Sequence, residues 1–347
     1  MTVLNRVSGH VKILGFVAVM LAMFASCSFI AGTEEGAQAI DAQRVPLDYI
    51  ETLMNAASVQ GQGFQRVNQA SDAATSLKLP AGVFADANRV YVTDLYTGGT
   101  VSAPRVIVLD RGAGTFSALP VPVAPADGKL LNPVDVAVSA DTVVFVADAQ
   151  QGRVFGYDRR GTLLLIIGKS GDLIRPVSLA LDQVRARLYV ADSHARSVRV
   201  YSTLGDQLFS IGGTSASGPG GLRTPIGVAL DREGRIFVLD QHRRRVHVYD
   251  PDGNILQTFP VSDGVPGGPW QPKALAVDSA GHIYVTDSIH NTVLIFDRDG
   301  KFRTTWGKMG SQPGDFWSPM GIFIDPRDMI YIADQTNGRV QVYQFRK

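Results

Sequence analysis

Six histidines and one cysteine limit the chemistry open to this 347-residue chain. His194, His242 and His290 lie 48 and 48 residues apart, and three imidazoles brought to one point would make a zinc site with an open fourth position. His194 and His242 stand two residues after a recurring aspartate and His290 three after, however, which spreads them over separate loops as surface histidines. The aspartates themselves recur in register at Asp94, Asp148, Asp192, Asp240, Asp287 and Asp334. A residue repeated in every unit is better explained as a loop cap, its oxygens accepting backbone N–H bonds, than as a carboxylate cluster. Nucleophiles are scarce: there is no Gly-x-Ser-x-Gly elbow, and Cys27 falls near the N-terminus.

The elements that position these residues repeat from residue 79 onward. Each unit has a Pro, an apolar strand usually ending in Asp, a turn, a second apolar strand ending in Asp, and a third apolar strand. The clearest copies start at Thr224 (TPIGVALDREGRIFVLDQHRRRVHVYDPDGN) and Ser318 (SPMGIFIDPRDMIYIADQTNGRVQVYQ). From Asp94 to Asp334 the mean period is 48 residues, and four short strands per period is the pattern of propeller blades. The second strand Ile236-Phe237-Val238-Leu239 is apolar on both faces, as stacked sheets require, whereas the third strand Val246-His247-Val248 alternates and predicts one exposed side. Asp250-Pro251-Asp252-Gly253 and Asp297-Arg298-Asp299-Gly300 read as tight hairpin turns.

These strings resemble the NHL repeat over roughly Leu79 to Phe345. The resemblance implies an all-β, six-bladed propeller whose first strands line the axis, with blade cores at about 79–120, 131–168, 174–212, 223–260, 270–307 and 317–345. The last copy ends after its third strand, so another segment must supply its outermost strand. Counting back twelve residues from Pro80, as Gly307 lies twelve before Pro319, selects 64–68 as the strand that closes the ring and removes two exposed edges.

The family topology further implies an upper face, formed by the connections into each first strand and the turns after each second-strand Asp. The residues just after the repeat prolines, Ala81, Val134, Val177, Ile226, Lys273 and Met320, are expected around the upper mouth of the channel. Similar propeller lyases that split peptidyl-α-hydroxyglycine carry zinc-binding histidines there, and this chain has none at these positions. Gluconolactonase-like relatives use an acidic residue in an EGP setting, where this chain reads Lys78-Leu79-Pro80-Ala81-Gly82. An apolar mouth does not activate water through a metal. The reading is therefore of a binding protein without cofactor, a metal-dependent lyase or hydrolase with a rearranged site being the alternative.

Three features could serve binding, each with a plainer explanation. Blade one carries a six-residue insertion containing Tyr96, either a recognition element or a tolerated loop. Trp270 and Trp317 each precede a repeat Pro by two positions, near Lys273 and Met320, and either grip a partner or pack under the linkers. Arg196 and Arg199 with the run Arg243-Arg244-Arg245 concentrate positive charge over blades three and four, as a docking patch or a solvated face.

Composition sets the outer bounds. Lys plus Arg number 33 against 32 Asp plus Glu, a balance that argues against a nucleic-acid partner. One cysteine excludes an internal disulfide framework. Arg6, His10 and Lys12 precede an uncharged run from Ile13, the order of a secretory signal at residues 1–26. Its end, Phe24-Ala25-Ser26-Cys27, resembles a bacterial lipobox, although the family prefers Leu where Phe24 stands. That resemblance implies lipidation at Cys27 and a membrane anchor, and Ser28 beside it resembles outer-membrane lipoproteins. Plain secretion, or an uncleaved 20-residue span from Ile13 to Gly32, fits the same run. Residues 27–62 read as a tether, with a short helix from the spacing of Leu47, Ile50, Leu53, Met54 and Ala57 after Pro46, and 63–347 as the propeller. The expected protein is a monomeric propeller on the envelope membrane that presents its upper face to an envelope protein or complex.

Overall fold

Six four-stranded antiparallel sheets follow one another along the chain, and the last is completed from the opposite terminus. The computed structural model describes residues 47–53 and 76–345, apart from 96–102, 123–127, 169–170, 214–219 and Asp263, Pro266 and Pro269. Blade three shows the common plan, with successive strands Pro176–Asp182, Arg187–Asp192, Ser197–Ser202 and Gln207–Gly212. Proline, which lacks an N–H, takes the first position of each first strand, where it costs least in ladder hydrogen bonds. A register shift follows it in every blade, as between Pro133 and Asp135 or Pro225 and Gly227. Such bulges turn the strand and re-aim its side chains, here at the channel.

Second strands such as Ile236–Asp240 are buried throughout, as their continuous apolar pattern requires. The alternation expected of the third strands is corrected: Val246 to Tyr249 are all buried, with His247 at 1% exposure, and Thr292–Phe296 is buried along its length. Neighbouring blades cover the third strand on both sides, so polarity at His247 does not mark a solvent face. Exposure falls instead on the outermost strands, such as Leu163–Ile167 and Gln207–Gly212, which have no further strand beyond them.

The apolar core lies between blades rather than within them. Tyr91 and Val108 of blade one pack in one cluster with Val146 and Phe155 of blade two. The sequence of such clusters continues round to Tyr331 and Val340 of blade six against Val83 and Val90 of blade one. Burial of this area supplies the main driving force, and the ring leaves no blade with an unpartnered face. Tyr157 and Tyr249 add fixed points, each donating its phenol proton to a carbonyl 29 residues earlier, at Gly128 (2.6 Å) and Gly220 (2.7 Å).

An N-terminal strand does close the ring, but it is Leu47–Leu53, paired antiparallel with Arg339–Phe345 from Leu47 opposite Phe345 to Leu53 opposite Val340. Two expectations change. The segment after Pro46 is a strand, not a helix: its apolar spacing fits a helix, but the unpaired edge of blade six offers a ladder of hydrogen bonds that an isolated short helix lacks. The closing strand is also not 64–68, a segment that lies outside the described residues. A chain beginning at Met54 keeps 64–68 but loses Leu47–Leu53, and is expected to melt about 5 °C or more below one beginning at Val45. Equal melting temperatures by circular dichroism would overturn this closure.

Candidate functional site

The upper face is organised by the six repeat aspartates. Each is fully buried, and each accepts a backbone N–H from the segment leading into the first strand of its own blade. The donors are Leu79, Leu131, Ile174, Arg223, Gln271 and Trp317, at 2.6 to 2.8 Å. Asp192 also accepts N–H bonds from Arg175 (3.0 Å), His194 (3.2 Å) and Ala195 (3.0 Å), so one carboxylate ties the turn after its strand to the leading segment. Blades one and six add a guanidinium: Arg105 Nη2 lies 3.1 Å from Asp94 and Arg339 Nε 2.7 Å from Asp334. Each carboxylate caps its loop, the role its repetition in every blade implied.

Beneath that face runs an axial channel of about 1050 Å³ lined by the first strands of all six blades. Ala81, Val134, Val177, Ile226, Lys273 and Met320 all line it, as expected from their place after the prolines. Lys273 is half-buried, and burial pulls its ammonium below the ordinary lysine range, against the opposing pull of Asp287. The next position inward is Gly82, Gly227, Ala274 or Gly321 in four blades, Ser178 in blade three, and Asp135 in blade two. Asp135 is the residue sequence reasoning missed. Its Oδ1 accepts the Val136 N–H (2.9 Å) and its Oδ2 the Leu179 N–H of the next blade (2.8 Å). Ser178 bonds to it as well, while the Ser178 hydroxyl oxygen accepts the Val228 N–H of blade four at 3.3 Å. Gly82 makes room for it: a Cβ there would lie 2.5 Å from Asp135 Oδ1. Desolvation pushes the Asp135 carboxyl up to about 6, against the lowering effect of these hydrogen bonds.

The other candidate residues separate. Among the described residues no three His, Cys, Asp or Glu side chains are grouped to hold a metal ion. His290 is held by Asp287 Oδ1 at Nδ1 (3.1 Å) and by the Gly267 carbonyl at Nε2 (2.7 Å), while His194 and His242 are exposed. Trp270 is 8% exposed and packs against His290 with ring centroids 4.0 Å apart and the rings tilted by 39°, as packing under the linker would place it. Trp317 is 45% exposed. Tyr96, the blade-one insertion and Cys27 lie outside the described residues.

Arg196, Arg243, Arg244 and Arg245 are all exposed. Arg196 and Arg244 hold φ of 57° and 52°, the left-handed conformation that Gly152 and Gly338 take at the same place in blades two and six. A side chain there costs roughly 1 kcal/mol relative to glycine. Exposed cations recur elsewhere on this face, at Lys78, Lys129, Arg175, Arg223 and Lys308, while no Asp or Glu among the described residues of these loops is exposed.

The architecture defines an all-β six-bladed β-propeller with a ligand-sized axial channel. A family model described as 6-bladed beta-propeller matches residues 274–347. Protein brain tumor of Drosophila melanogaster is 28% identical over 141 residues, which are 39% of this chain and 13% of that protein, and supports the NHL-type resemblance. A solved Bacteroides thetaiotaomicron protein of unknown function aligns with TM-score 0.59 at 18% identity, covering 85% of this chain and 75% of that one. Virginiamycin B lyase from Staphylococcus aureus aligns at 0.56 and 13%, covering 78% and 98%, and a chain of the nidogen/laminin complex at 0.54 and 20%, covering 75% and 86%. At these identities the structural likeness carries the fold alone.

The raised Asp135 carboxyl has a definite sign. A native pKa of about 6, above the ordinary aspartate value of about 4, means that the folded protein binds more protons than the unfolded chain between those values, so this group's contribution falls as pH rises from about 4 to 6. Asp135→Asn removes the titration. The melting temperature of the wild type minus that of the variant is expected to drop across this range, by the equivalent of on the order of 2 kcal/mol. A flat difference would refute the shift.

Proposed function

We propose that the protein is an exported, lipid-anchored binding protein of the cell envelope that presents its upper propeller face to an acidic protein partner and catalyses no reaction. The observation that carries this reading is the sorting of charge on that face. Its repeat carboxylates are all turned inward, which leaves exposed arginines and lysines without an exposed acid among the described residues. Such a surface steers an anionic partner by its long-range field. Trp317, Ile174 and Ile289, at 45%, 55% and 52% exposure, lie on the same face and supply apolar contact.

The two left-handed arginines support the same reading. Glycine fills that turn position in blades two and six and Asn291, which caps Ser318, in blade five, so arginine there spends stability where glycine or asparagine would suit the backbone better. The anchor rests on the Phe24-Ala25-Ser26-Cys27 sequence. At the channel mouth Ala81, Val134, Val177, Ile226 and Met320 are apolar and Lys273 is the one ionisable residue of the six.

Crosslinking and affinity capture of the full chain from membranes, followed by mass spectrometry, tests both halves. The triple change Arg243→Glu, Arg244→Glu and Arg245→Glu is expected to lose a stoichiometric partner that the wild type holds in a salt-sensitive manner. Arg196→Gly with Arg244→Gly should weaken capture while leaving the melting temperature equal or higher. Unchanged capture in both variants defeats the docking face, and a Cys27→Ser protein that stays membrane-bound defeats the lipid anchor.

A further inference from the structure

The channel is built for more than closing the ring. Its walls carry half-buried apolar side chains along much of their length, including Val177, Ile226, Met320 and Phe323. At about 1050 Å³ it is as large as the sites that enclose drug-sized molecules. An apolar cavity with a few convergent polar groups is where a small molecule binds best, so the identity and state of those groups decide which molecule.

The two ends differ. At the lower end Asp86, Asp182, Asp231, Asp278, Asp325 and Asp328 line the mouth with Glu233, Arg185, Arg232 and Arg327, and each aspartate already accepts hydrogen bonds. Asp182 takes the N–H groups of Val184 and Arg185 and the Arg185 guanidinium, and Asp231 those of Glu233 and Arg235 with the Arg235 guanidinium. Asp278 is engaged by Ala280, His282 and Tyr284, Asp325 by Arg327 and Met329, Asp328 by Ser279, and Asp86 by Asn88 and Arg89. Those charges are used by the fold. At the upper end the Lys273 ammonium lines the channel half-buried, and among the described residues it has no hydrogen-bond or ion-pair partner. Arg175 and Gln241 line the same mouth, and among the described residues the Arg175 side chain has no hydrogen-bond or ion-pair partner.

We infer that the channel binds a single-tailed organic acid, with its apolar body along the axis and its carboxylate at Lys273 and Arg175. A half-buried ammonium that no carboxylate contacts directly, with Asp287 acting on it only through space, costs free energy that a bound carboxylate recovers, and the apolar wall below it takes an alkyl or aryl body. The lower end, where Arg185, Arg232 and Arg327 pair with Asp182, Asp328 and Asp325, offers no such unmatched cation. Asp135, one position further in on the opposite blade, has its oxygens met by Val136, Leu179 and Ser178, and its charge keeps a second acid group from the middle of the channel. The body that suits this gradient is therefore apolar with one acidic end.

Isothermal titration of the full chain with octanoate and with octan-1-ol tests the assignment. Octanoate is expected to bind saturably at one site per chain, and Lys273→Met to weaken it about tenfold or more, while octanol binding changes less than about twofold. Val177→Trp, which fills the mouth, should abolish both. The triple glutamate change at Arg243, Arg244 and Arg245 should leave octanoate affinity in place, which separates this site from the docking face. The proposal is overturned by the absence of saturable octanoate binding, by equal affinity in the Lys273→Met protein, or by binding of phosphatidylglycerol vesicles without binding of free octanoate.

Discussion

A buried carboxylate at the end of each second strand holds this structure in register. In water an aspartate gains little from accepting an amide N–H. Inside the propeller, with no solvent to replace it, each such bond is charge-assisted, and each donor left without an acceptor would cost about 1 to 3 kcal/mol. Asp192 alone fixes four backbone donors drawn from two segments that are sixteen or more residues apart in the chain. That linkage lets irregular loops enter each first strand at a constant place, and constant placement gives six dissimilar sequences one common axis.

The same interaction shapes the electrostatics. Because the fold draws the repeat acids inward, the upper surface loses negative charge that the composition suggests it should have. A chain of nearly balanced charge thereby acquires a polarised exterior. Net charge excludes whole classes of partner, but the local field follows from which carboxylates the backbone has taken.

The blades were legible because their signals are local and repeated: Pro at the start of the first strand, Asp at the end of the second, and a 48-residue period. The axial position of Ala81, Val134, Val177, Ile226, Lys273 and Met320 followed from that register. What sequence reasoning missed depends on long-range packing. Leu47, Ile50 and Leu53 are spaced for a helix, and only the open edge of a sheet nearly 300 residues away makes them a strand. His247 looks like a solvent-side residue until the adjacent blades cover it. Trp270 and Trp317 occupy equivalent positions, yet one lies against His290 and the other faces outward, a difference set by neighbouring loops. Asp135 had a usable signal: aligned at the prolines, five repeats place a small residue where this one places a carboxylate.

Closure from the N-terminal side also has a mechanical meaning. Leu47–Leu53 enters blade six alongside the last residues of Arg339–Phe345 and runs the length of that strand, with six residue pairs interrupted by one bulge between Tyr49 and Glu51. A force on Leu47 directed along the strand and resisted by the rest of blade six loads those pairs together, in shear, whereas one resisted through Phe345, at the same end of the ladder, opens them one after another. The seam that joins an early strand to a late one thus resists or yields according to where the opposing load is carried.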